Sequence, residues 1–133
     1  MADTRLLVMD DEEALLRTLK LILSISGFNL TTTQNGQDAV MLYKKAFEEK
    51  QPFAAVILDL KVPAGLMGGE AALKEILKID PQAKAIASSG DSCDPVMEHF
   101  AAYGFCAAMV KPYDVEELKK TIKEVTDGKQ TND

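Results

Sequence analysis

With 133 residues, 47% of them hydrophobic and 27% charged, the chain is long enough for one buried core and too short to divide into two. No apolar run approaches the roughly 20 residues that span a bilayer, and Met1–Thr4 is too short and polar for a signal peptide. A formal net charge of -6, from 15 basic and 21 acidic residues, repels phosphate backbones and disfavours direct nucleic-acid binding.

From Arg5 onward a pattern repeats about five times: a short apolar run, a turn, then a stretch of helical periodicity. Leu6-Leu7-Val8-Met9 is the first run, and Leu15, Leu19, Ile22 and Leu23 after it fall on one side of a helix. Leu30-Thr31-Thr32-Thr33 follows, and its threonines predict an edge strand. Ala39, Leu42, Tyr43, Ala46 and Phe47 make a second helical stripe. The remaining runs are Ala54-Ala55-Val56-Ile57-Leu58, Ala85-Ile86-Ala87 and Ala107-Ala108-Met109-Val110. Apart from the threonine-rich one, none alternates with polar residues, as expected of parallel strands covered on both faces. Asp94 to Phe100 is a thin helix that Pro95 can start. Val115, Leu118, Ile122 and Val125 form the last helix, behind Asp114 and Glu117 at capping-box spacing. The polar stretch from Asp127 on reads as a frayed tail.

Alternating strands and helices predict an open, doubly wound α/β sheet of five parallel strands in the order 2-1-3-4-5, with helices on both faces. The chain reads as one domain over residues 1–133, with a core of about 5–126 and no separate output domain. Cys93 and Cys106 form no C-x-x-C pair and there is one histidine, so neither a zinc cage nor a disulfide framework is indicated. Reduced cysteines and the lack of a targeting segment predict a cytoplasmic protein without membrane contact.

Asp10 and Asp11 end the first run, Asp59 the third, Ser88 and Ser89 the fourth, and Lys111 the fifth. In a doubly wound sheet these positions converge on one rim, where ligands bind. Three carboxylates held together raise one another's pKa, at a Coulomb cost of about 4 kcal/mol for a close pair near a protein surface. Such a cluster asks for a cation. Mg²⁺ (or Mn²⁺) suits it, because that ion takes a few carboxylate oxygens and shares its other positions with water and phosphate. Asp11 and Asp59 are the expected direct ligands. Given a phosphoryl donor, Asp59 can attack as a carboxylate nucleophile and become an acyl phosphate, with Lys111 clamping another phosphoryl oxygen. A metal, a lysine and a small hydroxyl donor make a sufficient minimal site for phosphoryl transfer.

These residues resemble the response-regulator receiver family from Arg5 to about Thr126. The resemblance rests on Val8-Met9-Asp10-Asp11-Glu12, on Leu58-Asp59-Leu60 with Pro63 four residues after the aspartate, on Ser88-Ser89-Gly90, and on Val110-Lys111-Pro112-Tyr113. It implies a flavodoxin-like receiver fold with Asp59 as the phosphoacceptor and Asp10 and Asp11 as the acidic pair at the metal. Ser89 then matches the switch hydroxyl, Lys111 the motif lysine, and the Lys61 backbone carbonyl a further metal ligand. The implied function is two-component signalling: metal-dependent transfer from a phosphohistidine donor to Asp59, switching a protein-interaction surface. Implied partners are a histidine kinase or histidine phosphotransfer domain and a downstream effector protein. Gly68-Gly69-Glu70, Ser88-Ser89-Gly90 and Asp94-Pro95-Val96-Met97 look most like receivers attached to hybrid sensor histidine kinases. A fragment of such a kinase and a free-standing regulator look alike at this length.

Three features depart from the family pattern. The loop Ala64-Gly65-Leu66-Met67-Gly68 is about one residue longer, Lys61 puts a long cation beside the phosphoacceptor, and Ala108 stands where many receivers carry an aromatic that reports the switch. Taken singly, each site residue has a plainer reading: paired aspartates cap helices, Asp59 or Ser89 forms a turn, and Lys111 is a loop lysine. Their order on successive strand ends carries the assignment. His99 reads as a surface side chain, the glycines of the Gly65–Gly69 loop as turn formers without a P-loop motif, and the six methionines as core filler. An aspartyl-phosphate phosphatase would need D-x-D-x-[TV] after the first strand, which Met9-Asp10-Asp11-Glu12-Glu13 lacks. A receiver-like module without phosphorylation is disfavoured by the complete acidic set and Lys111.

Overall fold

The structure is a computed structural model that describes residues 4–128. Strands β1 (Thr4–Met9), β2 (Phe28–Thr33), β3 (Ala55–Asp59), β4 (Ala85–Ser89) and β5 (Ala107–Val110) form one parallel sheet in the expected order β2-β1-β3-β4-β5. Helices α1 (Glu13–Ile25), α2 (Gly36–Glu48), α3 (Gly69–Ile79), α4 (Pro95–Glu98) and α5 (Val115–Thr126) connect or follow the strands, with a 3-10 turn at Phe100–Tyr103. The threonine-rich β2 is at an edge, as predicted. No helix among the described residues is long and apolar enough to cross a membrane.

The strand pleat sorts the core into two layers, because successive side chains point to opposite faces. Leu7, Met9, Val56, Leu58, Ala85 and Ala87 face α2, α3, α4 and the 3-10 turn, where they meet Tyr43, Leu73, Ile76, Met97 and Phe100. Leu6, Val8, Ala55, Ile57, Ile86 and Met109 face α1 and α5, where they meet Leu16, Leu19, Leu23, Leu118 and Ile122. Both layers are buried, which explains why four of the runs lack polar alternation. Carried one step past these residues, the alternation puts Asp10, Asp59 and Ser88 on the α1/α5 side and Ser89 on the other.

Three of the five described α-helices, α2, α4 and α5, start from side-chain caps. Asn35 accepts the Asp38 N–H, Asp94 accepts the Val96 N–H ahead of Pro95, and Asp114 accepts the Glu116 N–H. The cap at Asp114 is therefore where the sequence places it, although the bond goes to Glu116 rather than Glu117. The buried stripe of α1 is Leu16, Leu19 and Leu23, one residue out of phase with Leu15 and Ile22, which are only half-buried. Phe47 departs from its expected place: Ala39, Tyr43 and Ala46 are buried, whereas Phe47, about 100° further round the helix than Ala46, is 40% exposed. Only the strand–helix alternation predicts α3, whose stripe is Ala72, Leu73 and Ile76. Where the sequence places the start of the tail, Asp127 donates to the Lys123 carbonyl and Gly128, at φ 85°, to the Val125 carbonyl, closing α5. The rest of the expected tail, residues 129–133, lies outside the described residues, as do residues 1–3.

The long loop before α3 is pinned to α2. The Gly36 N–H donates to the Met67 carbonyl at 2.7 Å, and the Met67 N–H to Gln37 Oε1 at 2.9 Å. Gly69 then starts α3 directly against the end of β3: a Cβ there would lie 2.7 Å from the Asp59 carbonyl oxygen and 3.0 Å from Leu58 Cβ. Gly69→Ala is accordingly expected to lower unfolding free energy by about 1–3 kcal/mol from overpacking, even though alanine in a helix is otherwise worth about 1 kcal/mol over glycine. Gly90→Ala, where an added Cβ meets nothing within 4 Å, should stay within about 0.5 kcal/mol of wild type. Urea denaturation of the two variants makes the comparison, and equal losses would contradict the packing described.

Candidate functional site

Ladder bonds that continue past the strand ends hold the rim. The Asp10 N–H donates to the Thr33 carbonyl, Leu60 to Ser88 and Lys111 to Ser89, at 2.9–3.0 Å. The backbone flanking Asp59, and that of Asp10 and Lys111, is thus tied to a neighbouring strand before any side-chain contact is made.

Asp10, Asp11 and Asp59 each place a carboxylate oxygen within 4.8 Å of the others. Asp10 and Asp59 are buried and Asp11 is exposed. Lys111 Nζ lies 2.8 Å from Asp10 Oδ2, 3.1 Å from Asp59 Oδ2 and 3.7 Å from Glu12 Oε1. The remaining oxygens are also engaged: Asp10 Oδ1 accepts the Glu12 N–H at 2.9 Å, and Asp59 Oδ1 the Lys61 N–H at 3.3 Å. The sequence-predicted acidic set and Lys111 therefore meet at one point. Three clustered carboxylates fit a hard divalent cation by the chemistry of their donor atoms.

Burial raises the Asp59 carboxyl from 3.8 to about 6, with the Asp10 charge adding to it and the Lys111 hydrogen bond opposing. Lys111 is raised as well, but for the opposite reason. Burial alone would lower its ammonium, but hydrogen bonds to Asp10 and Asp59 outweigh that and hold it above the ordinary lysine range. It stays charged throughout the physiological range.

The other predicted residues sit around this centre. Ser89 is buried, and its Oγ accepts the Asp91 N–H at 3.0 Å. Lys61 sends its Nζ outward to Asp91 Oδ2 at 3.2 Å, joining the loops after β3 and β4. Asp91 is held below the usual carboxylate range by the Cys93 N–H and then by Lys61. His99 is exposed, as expected, and neither Cys93 nor Cys106 is in a disulfide. Two contacts escape sequence reasoning. One is the Lys61–Asp91 pair, since nothing in the loop Gly90–Cys93 marks Asp91 as a partner. The other is a hydrogen bond between Ser88 Oγ and the Tyr113 hydroxyl. No local sequence pattern marks it; the structure shows that Ser88 is the register partner of Asp59. Burial raises the Tyr113 hydroxyl, with the Ser88 bond and the Lys111 charge opposing. Tyr113 also lines a groove of about 400 Å³ with Glu12, Leu15, Ile22 and Val115.

The model of the response regulator receiver domain family matches residues 6–123. The chain is 31% identical over 114 residues to a response regulator receiver protein of Anaeromyxobacter sp. (strain Fw109-5), covering 86% of this chain and 45% of that protein. It is 29% identical over 123 residues to the chemotaxis protein CheY of Thermotoga maritima, covering 92% and 97% respectively. The chain thus spans about half the length of the first relative and nearly all of the second. Among solved structures it is similar to the CheX–CheY–BeF3–Mg²⁺ complex of Borrelia burgdorferi, with a TM-score of 0.80 at 26% identity, covering 91% of this chain and 87% of that one.

The raised Asp59 value has a consequence for stability without metal. The folded protein holds this proton more tightly than the unfolded chain does, so stability falls as pH rises from about 4 to about 6 and stays lower above that, by on the order of 2 kcal/mol. Asp59→Asn, which keeps the shape and drops the charge, should be more stable than wild type at pH 7 by about that amount and should lose the decline between pH 4 and 6. Urea melts in metal-free buffer at several pH values measure both, and equal stability at pH 7 would contradict the crowding.

Proposed function

The chain belongs to the response regulator receiver domain family of two-component signal transduction, and from that premise we propose that Asp59 is the residue that takes up the phosphoryl group. The observation that supports this most directly is the placement of one ammonium, Lys111 Nζ, within 3.1 Å of both Asp10 and Asp59, beside a three-carboxylate cluster. Asp10 and Asp59 both pair with Lys111, and of the two Asp59 ends the central strand β3, its other oxygen accepting the Lys61 N–H.

Asp11 and Asp59 would hold Mg²⁺ (or Mn²⁺) directly, with Asp10 and the Lys61 backbone carbonyl completing the protein's share. When bound, the ion supplies positive charge to the phosphoryl oxygens during transfer. The chain's own residues do the rest. Asp59, largely ionised at pH 7 with a value of about 6, attacks the phosphorus of the phosphohistidine donor through a carboxylate oxygen, so that the O–P bond forms as the P–N bond breaks and the donor's imidazole leaves. Lys111, held protonated, exchanges its contact with Asp59 for one with a phosphoryl oxygen. Ser89 accepts from the Asp91 N–H, which leaves its own hydrogen to donate to another phosphoryl oxygen. The added negative charge, about one or more units, then has new acceptors to pull the Ser89–Cys93 loop toward the site.

The domain serves as a signalling module that assists its own phosphorylation and switches a surface read by an effector protein. Its donor is a phosphohistidine on a histidine kinase or histidine phosphotransfer domain in the cytoplasm. The motif run Asp94-Pro95-Val96-Met97 with Gly68-Gly69-Glu70 favours a hybrid sensor histidine kinase as the parent chain. The beryllofluoride and magnesium named in the Borrelia CheX–CheY complex are the phosphoryl mimic and metal that this cluster suits.

Incubation with acetyl phosphate or phosphoramidate and Mg²⁺ is expected to add one hydroxylamine-labile phosphoryl group, seen by intact-mass spectrometry. Asp59→Asn should abolish the addition, and an unchanged yield in that variant would overturn the assignment. Asp11→Ala should weaken Mg²⁺ binding at least tenfold in titration, since one of the two direct carboxylates is lost, while His99→Ala should leave it unchanged. Equal affinity in wild type and Asp11→Ala would remove Asp11 from the ligands.

A further inference from the structure

Lys111 carries its charge on a flexible four-carbon stem, so where that charge rests depends on how well the base of the side chain is held. Its two nearest partners at the tip, Asp10 and Asp59, are the groups that change partners when a cation and a phosphoryl group arrive, and the third, Glu12 at 3.7 Å, is an exposed side chain. They cannot fix the lysine through the reaction. The loop that bears it is anchored elsewhere, to two consecutive residues of β4. The Lys111 N–H donates to the Ser89 carbonyl at 2.9 Å, and two residues on, beyond Pro112, the Tyr113 hydroxyl is hydrogen-bonded to Ser88 Oγ. Ser88 is fully buried and is the register partner of Asp59 on the neighbouring strand. The pleat puts its side chain on the same face of the sheet as that of Asp59 and Asp10.

We infer that Tyr113 is a positioning residue for phosphoryl transfer: its hydroxyl, tied to Ser88, sets the loop from which Lys111 reaches the phosphoryl group on Asp59. This rests on the reading of Asp59 as the phosphoacceptor. Neither Ser88 nor Tyr113 exchanges partners in the transfer, so the anchor persists while the tip of Lys111 moves. A displacement of the reacting groups by about 1 Å can cost up to 10²-fold in rate. Releasing one of two anchors, with the backbone bond to Ser89 retained, should cost less than that, in the range of one ordinary hydrogen bond.

The test compares rates with affinities. In Tyr113→Phe, the phosphorylation rate constant from acetyl phosphate at saturating Mg²⁺ is expected to fall by roughly three- to tenfold, with the Mg²⁺ dissociation constant unchanged. Ser88→Ala, which removes the other end of the bond, should fall by the same factor. The double variant should be no slower than either single one, because both break one contact. Tyr103→Phe, at a half-exposed ring away from the site, should match wild type. A merely packing role for Tyr113 would lower the melting temperature and leave the rate alone. Wild-type rates in folded Tyr113→Phe, or losses that multiply in the double variant, overturn the inference. If Tyr113→Phe does not fold, a wild-type rate in Ser88→Ala overturns it alone. Absence of phosphoryl uptake by wild type overturns the phosphoacceptor reading and this inference with it, whereas uptake by wild type with Tyr113→Phe unaffected overturns only the positioning role.

Discussion

The pairing of one ammonium with two buried carboxylates, Lys111 with Asp10 and Asp59, is the constraint around which the rim of this sheet is arranged. Asp11 completes three carboxylates against one lysine, so the cluster carries excess negative charge that the fold must hold in place. It does so with main-chain bonds. Ladder contacts beyond the ends of β1, β3 and β5 fix the backbone, and N–H groups of Glu12 and Lys61 each neutralise part of a carboxylate. A cluster held this way is strained toward accepting positive charge, which is the property a phosphoryl-transfer centre needs before its cation arrives.

The strand pleat decides which groups can cooperate. Asp10, Asp59 and Ser88 continue the alternation onto the α1/α5 face, while Ser89 continues it onto the face of α2, α3 and α4. The centre is therefore split between the two layers. On one side are the charged groups and the Tyr113 anchor, on the other a serine whose hydroxyl is bonded within its own loop. An event at Asp59 can reach the α4 side through the end of β4, where two adjacent serines face opposite ways, and through Lys61, which joins Asp59 to Asp91.

Much of this was legible because a doubly wound sheet maps chemistry to strand ends. The five runs, the edge character of Leu30–Thr33, and the convergence of Asp10, Asp11, Asp59 and Lys111 all follow from periodicity and the alternation of elements. Helix phase was less legible. The adjacent pairs Leu15-Leu16 and Ile22-Leu23 fit two stripes about 100° apart, and only contact with the sheet selects Leu16 and Leu23. Phe47 fails for a related reason, since a stripe read from hydrophobicity does not say where the helix outruns the sheet. The Lys61–Asp91 and Ser88–Tyr113 contacts join residues 30 and 25 positions apart, a separation at which no local pattern operates.

The helix after β4 gives the molecule an uneven stiffness. At four residues, α4 is the shortest helix among those described, closed by the Glu98 and His99 N–H bonds back to Asp94 and Pro95 before the chain tightens into the 3-10 turn. The other helices run for eleven to thirteen residues and move only as rigid rods with whole stripes of core attached. A segment of one turn has little cooperativity to overcome. With Ala108 offering no ring on β5, the segment where the Ser89 loop ends rests on one turn of hydrogen bonds and two buried side chains, Val96 and Met97, the smallest hold that any α-helix among the described residues has.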